Sequence, residues 1–140
     1  MNTMEATLFD LRSFDLHAVQ PVLPVRDVRK AAEWYRDTLG FTVDFIWGDP
    51  AEHARVIAVD HAARVGIQLS QSSVDTSRMQ KAGWIMIHVG AGIETLYEEY
   101  RSRGVAIGRE IGTRPWGMID FDIVDPDGNT IRFAGEAPES

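Results

Sequence analysis

The side chains able to do chemistry in this 140-residue chain are four histidines, twenty-one carboxylates and a set of aromatic rings that includes four tryptophans; there is no cysteine. Without thiols, disulfides, thiolate metal sites and cysteine nucleophiles are excluded. The histidines are scattered, with His17 just before the first strand, His53 in a polar loop, His61 at a turn and His88 inside an apolar strand. None stands with a second histidine or a carboxylate at ligand spacing on one element. No Ser-His-Asp or phosphate-loop spacing occurs, and Gly90-Ala91-Gly92 reads as a strand-to-helix turn. The aromatic residues Phe45, Trp47, Trp84 and Trp116 offer a different chemistry. A ring stacked on a flat ligand gains on the order of 0.5–1.5 kcal/mol beyond area burial, so several can hold a heteroaromatic without any covalent step. Trp116 lies between Pro115 and Gly117, the composition of a loop, where it can act as a lid. Trp34 and Tyr35 fall on a helix and are expected in the core.

The elements that must position these residues come from an internal repeat. Val25 falls on Val89, Gly40 on Gly104 and Ile67 on Ile131 at one fixed offset. Such self-similarity marks a duplicated supersecondary unit. Asp27 caps a helix whose apolar face is Val28, Ala31, Ala32, Tyr35 and Leu39, closed by Gly40. Ile93, Leu96, Tyr97 and Tyr100 repeat the pattern, closed by Gly104. Before the first helix comes a strand over Val19 to Val25, which Pro21 and Pro24 mark as an edge. Extended segments follow each helix: Phe41 to Ile46, Ala54 to Asp60 and Arg64 to Ser70, then Ala106 to Ile111, Met118 to Asp125 and Thr130 to Ala134. Asp125-Pro126-Asp127-Gly128-Asn129 joins the last two as a hairpin. The expected fold class is α+β, two tandem βαβββ modules. The expected organisation is an N-terminal arm over 1–16, modules over 17–70 and 83–136, a polar, serine-rich linker over 71–82 and a tail over 137–140. Leu8, Leu11 and Phe14, three apart, suit a short helix that docks on the body.

A formal charge of −7 disfavours nonspecific nucleic-acid binding and suits a cationic ligand. No run approaches the roughly 20 apolar residues of a membrane helix. The stretch from Met1 to His17 has no secretory pattern, so a cytoplasmic location is expected.

A strand, Asp27-Val28, a helix with Trp34-Tyr35, Leu39-Gly40-Phe41 and the closing Asp125-Pro126-Asp127-Gly128-Asn129 resemble the vicinal oxygen chelate superfamily, which includes glyoxalase I, extradiol dioxygenases and antibiotic-resistance proteins. The resemblance runs from Ala18 to Glu136 and implies that the two modules curl their mixed sheets around a shared cleft. Val22 to Val28, Asp44-Phe45, Gly83-Trp84 and Arg114-Pro115-Trp116-Gly117 resemble its bleomycin-resistance branch. Enzymes of the superfamily hold a divalent metal at matching positions of the two modules. Carried onto this chain, those positions are Gln20, Gln68, Trp84 and Arg132, and the repeat pairs Gln20 with Trp84 and Gln68 with Arg132. An indole has no lone pair to give and a guanidinium repels a dication, so no metal and no cofactor is expected.

In the branch, the positions of Phe45, Trp84 and Trp116 line a drug-binding groove, and a further groove ring stands where this chain has Pro50; either Trp47 takes its place or the pocket serves a different ligand. The candidate ligand-binding set is therefore Phe45, Trp47, Trp84, Trp116, Gln20, Gln68, His88 and Arg132, with no catalytic residue assigned. By strand alternation His88 shares the face of Trp84, as a general base or as a side chain with a structural partner. Asp44, Asp49 and Glu52 can attract a cationic ligand, whereas Arg132 favours a carboxylate or carbonyl. The resemblance implies a non-catalytic protein that sequesters a flat, cationic antibiotic of the bleomycin type as a homodimer, with 1–16 as an exchanged or docking arm. Its rivals are a metal-dependent glyoxalase-like lyase or dioxygenase, and a ligand sensor or partner-binding module.

Overall fold

The structure, a computed structural model, describes residues 9–15, 19–58, 65–71 and 84–137. Among these described residues eight strands and two α-helices follow in the order β1 (Val22–Pro24), α1 (Val28–Asp37), β2 (Thr42–Trp47), β3 (His53–Ile57), β4 (Gly66–Ser70), β5 (Trp84–His88), α2 (Ile93–Ser102), β6 (Ala106–Thr113), β7 (Met118–Val124) and β8 (Thr130–Glu136). They form two mixed four-stranded sheets of order β1-β4-β3-β2 and β5-β8-β7-β6, the βαβββ unit twice over. In each, the first strand runs parallel to the last and the other pairs are antiparallel.

Each helix forms where the sequence supplies a start, an apolar stripe and a stop. The Asp27 carboxylate accepts from the Lys30 backbone N–H at 3.1 Å, satisfying one of the orphan donors of the first turn. Val28, Ala31, Ala32 and Tyr35 are buried, and Gly40 leaves the helix at φ +90°, a conformation that costs other residues a Cβ clash. Gly104, at φ +75°, ends α2 in the same way. Helix α1 packs on β2, β3 and β4, and α2 on β6 and β8. In the second module Tyr97, Tyr100, Phe121 and Phe133 form a ring cluster with centroids 5.1–6.4 Å apart. One face of each sheet is thus committed to its helix, which leaves the other face to carry function.

β1 is shorter than the Val19–Val25 expected, beginning only after Pro21, which has no N–H to donate to a ladder, and it is an edge strand. The repeat's offset survives as register: Val22 stands opposite Gln68 in β1–β4, and Met86 opposite Arg132 in β5–β8. It fails at β7. Gln68 faces Arg55, but Arg132 faces Asp122 rather than Ile119, the residue the offset puts in Arg55's place. The β6–β7 hairpin is longer than β2–β3, and the β7–β8 connection is correspondingly shorter.

The modules are fastened through the turn that the sequence marks as a hairpin. Tyr35 of α1 donates its hydroxyl to Asp125 Oδ2 at 2.7 Å, the Asn129 amide donates to the Pro24 carbonyl at 3.0 Å, and the Arg26 N–H donates to Asp127 Oδ1 at 3.0 Å. Asp125 is buried, and its other oxygen accepts from the Asp127 and Asn129 backbones at 2.9 and 2.8 Å. Burial, and then the Asp125 carboxylate, hold the Tyr35 hydroxyl well above its ordinary pKa. Tyr100 returns the connection, donating to the Leu39 carbonyl at 2.9 Å.

The described part of the arm is one 3-10 turn, Leu11–Ser13, capped by Asp10. Phe9, Leu11 and Phe14 are all exposed, so this segment does not dock on its own body as the spacing suggested. Leu8, His17, His61, the linker beyond Gln71 and the tail beyond Ala137 lie outside the described residues. No described helix is long and apolar enough to cross a membrane.

Candidate functional site

The sheet faces turned away from the helices gather the aromatic residues. On β2, a bulge between Val43 and Phe45 sets Phe45 opposite Arg55, and Trp47 opposite His53. Trp84, Met86 and His88 alternate on the outward face of β5, and Trp116 tops the β6–β7 turn. All four rings are open to solvent, Phe45 at 39 %, Trp47 at 62 %, Trp84 at 51 % and Trp116 at 64 %. By contrast Tyr35 is fully buried and Trp34 half-buried against the core.

The four repeat-related positions come together as two contacting pairs. Gln68 Nε2 donates to Gln20 Oε1 at 2.9 Å. Gln20 reaches across Gly66, where a Cβ would come within 3.2 Å of its amide carbon. His53 Nε2 donates to Gln68 Oε1, which extends the chain to three side chains and orients both amides. In the second module the Arg132 guanidinium lies 4.2 Å from the centre of the Trp84 ring. Arg132 is held there by Asp122, donating from Nε at 2.7 Å and Nη2 at 3.0 Å, and this bonding raises its pKa above the ordinary arginine value. Two amides already bonded to each other, an indole and a fixed cation are a donor set that does not suit a divalent metal. Among the described residues no three histidines or carboxylates gather at metal-binding distances.

His53 was expected in a loop, yet it opens β3 and stacks near Phe45, ring centres 6.1 Å apart and 20° from parallel. Asp44 does not stand ready for a cationic ligand, because Arg55 is bound to it through Nη2 and through Nε at 2.7 Å. Asp49 borders a polar hollow with Arg26 and Arg29, and Glu52 is exposed in the turn after Trp47. His88 has no hydrogen-bond partner among the described residues; it borders a hollow of about 530 Å³ between the β1 and β5 edges, shared with Val19, Pro21, Ile67, Ile85 and Ile87.

Sequence reasoning missed the ion pairs of the second sheet. Asp120 is buried and accepts from Arg114 Nε at 2.8 Å, with Arg109 Nε 3.8 Å from the same oxygen. Arg114 also donates to the Glu110 carbonyl at 3.0 Å, which fixes the base of the Trp116 turn. The signal was present in Ile119-Asp120-Phe121-Asp122-Ile123, where acids alternate with core residues on one strand.

Paired βαβββ modules, helices on one face and exposed rings on the other, define a duplicated-module protein with an open, aromatic-lined face. The chain belongs to the Glyoxalase/Bleomycin resistance protein/Dioxygenase superfamily, whose family model matches residues 16–133. It is similar to bleomycin resistance proteins of Geobacillus stearothermophilus and Staphylococcus aureus, each 28 % identical over 128 residues, with 81 % of this chain and 92 % of the relative covered. It is also similar to the structure of the bleomycin-binding protein from bleomycin-producing Streptomyces verticillus complexed with copper(II)-bleomycin, at 27 % identity and TM-score 0.65, covering 90 % of this chain and 99 % of that one. A superfamily member from Sphaerobacter thermophilus matches at 25 % identity and TM-score 0.70, covering 87 % and 98 %.

Proposed function

We propose that this protein binds and sequesters a flat, cationic small molecule of the bleomycin type, without transforming it and without a metal of its own. The observation that carries the reading is the condition of the four repeat-related positions. Gln20 with Gln68, and Trp84 with Arg132, satisfy each other, while Phe45, Trp47, Trp84 and Trp116 stand exposed around them. A face of this kind offers stacking and apolar contact, and among the described residues no cluster of histidines or carboxylates stands on it to hold a catalytic metal. The relatives named for bleomycin resistance and bleomycin binding support the same ligand class. The net charge of −7 and the exposed Glu52 beside Trp47 favour a cation.

An open face covers only one side of a ligand, whereas small-molecule sites bury most of theirs. The functional unit is therefore a homodimer in which a second copy closes the groove, with the exposed Phe9, Leu11 and Phe14 of the arm covered by the partner. The absence of cysteine accords with action in the cytoplasm. Titration with copper(II)-bleomycin and with metal-free bleomycin, followed by tryptophan fluorescence, is expected to show saturable quenching; no change at high micromolar ligand overturns the assignment. Stoichiometric metal in protein purified without chelator would restore a metal-dependent lyase or dioxygenase. A monomeric mass by light scattering at micromolar concentration would overturn the dimer.

A further inference from the structure

The second-module half of the face carries three guanidiniums against two buried carboxylates. Arg132 is paired with Asp122 through two hydrogen bonds, and Arg114 with Asp120 through one at 2.8 Å. Arg109 is the remainder. It stands opposite Asp122 in the β6–β7 ladder and 3.8 Å from Asp120, with its side chain one-third exposed, and that side chain makes no hydrogen bond among the described residues. Each acid is already neutralised by a closer arginine, so the cluster keeps about one positive charge on the surface of a strongly acidic protein.

The fold gives that charge a definite place. Arg109 directly follows the bulge in β6, as Phe45 follows the bulge in β2, and the repeat's offset pairs the two residues. Where the first module presents a ring on the outward face, the second presents a guanidinium. A planar, always-charged fork that is held by a neighbouring carboxylate yet has unused N–H donors suits a ligand oxyanion, which it can engage through two parallel bonds.

We propose that Arg109 is an anion-recognising subsite of the groove, which takes a carboxylate, sulfonate or phosphate group attached to the flat part of the ligand. The inference rests on the outward face being the ligand groove. It makes the groove bipolar, with Glu52 beyond Trp47 on the first module and Arg109 on the second.

Two fluorescent probes of nearly the same shape separate the charge from the stacking: 8-anilinonaphthalene-1-sulfonate, an aromatic anion, and N-phenyl-1-naphthylamine, its neutral counterpart. The intact protein is expected to bind the sulfonate about tenfold more tightly than the amine, as one charge-assisted contact allows. Arg109→Gln should abolish that preference and leave amine binding within about twofold, Arg109→Lys should retain part of it, and added salt should erode it. Thermal melts establish that both variants are folded. Equal binding of the two probes by the intact protein, or a preference that survives Arg109→Gln, overturns the subsite while the aromatic groove stands. Failure of both probes to bind overturns the groove itself.

Discussion

Asp122→Asn tests whether the Arg132–Trp84 arrangement is built or incidental. The Asp122 carboxylate accepts from Arg132 Nε and Nη2 at 2.7 and 3.0 Å, with the two side chains only 11 % and 17 % exposed. A hydrogen bond to a charged group contributes roughly 1.5–3 kcal/mol, and asparagine keeps one of the two acceptor oxygens while leaving the guanidinium uncompensated. The expected loss of stability is about 2 kcal/mol. The same change at Asp44, whose pair with Arg55 is 32 % and 27 % exposed, should cost only about 0.2–1 kcal/mol, because water screens the partners. For a chain of this size the gap corresponds to a difference in Tm of roughly 3–6 °C. Because the guanidinium lies 4.2 Å from the Trp84 ring centre, tryptophan emission should shift in Asp122→Asn and hardly move in Asp44→Asn. A double-mutant cycle with Arg132→Gln isolates the contribution of the pair from the loss of the Trp84 contact. Equal melting temperatures for Asp122→Asn and Asp44→Asn, or a larger fall in the latter, would refute the reasoning.

Trp116→Ala should weaken copper(II)-bleomycin binding by about tenfold while lowering Tm by no more than a few degrees, since nearly two-thirds of the side chain is in solvent; a collapse in Tm with unchanged affinity would assign the ring to packing. Stability should fall as pH rises above about 10. Burial pushes Tyr100 up to about 12 and holds Tyr35 higher than its ordinary value, so the unfolded chain releases those protons first. The stabilisation is complete below the unfolded pKa and is lost on the way to the folded one; Tm measured from pH 8 to 11.5 should show this, with a shallower fall in Tyr35→Phe. Gly135→Ala should destabilise by roughly 1–3 kcal/mol, because its Cβ would lie 2.8 Å from the Val89 carbonyl oxygen. Gly90→Ala, whose Cβ would meet nothing within 4 Å, is the matched control and should change denaturant midpoint little.

The repeat made the fold legible because the same offset links Val22 opposite Gln68 to Met86 opposite Arg132. Helix limits were legible for local reasons: Asp27 as a cap, Gly40 and Gly104 as stops. The polar chemistry of the face was less so. An offset that holds for β8 and fails for β7 puts Ile119, a core residue, where Asp122 faces Arg132, and hides the ion pairs. His53 was obscured because its neighbours Pro50, Ala51 and Glu52 read as loop, while the strand that contains it begins at His53 itself. Exposed arm residues at helical spacing gave a docking expectation that the chain's own body does not satisfy.

The bond from Tyr35 to Asp125 is made by residue types that the repeat does not duplicate. At the repeat's offset Tyr35 falls on Glu99, which pairs with Arg103, and Asp125 falls on His61. Two copies that began interchangeable have become complementary parts in a fixed order. A chain built from two first modules would lack Asp125 to receive the Tyr35 hydroxyl, and one built from two second modules would lack Tyr35 to offer it. The duplication is thus still written in the chain but can no longer be reversed: each half has drifted into a shape that only its sibling, in its present seat, completes.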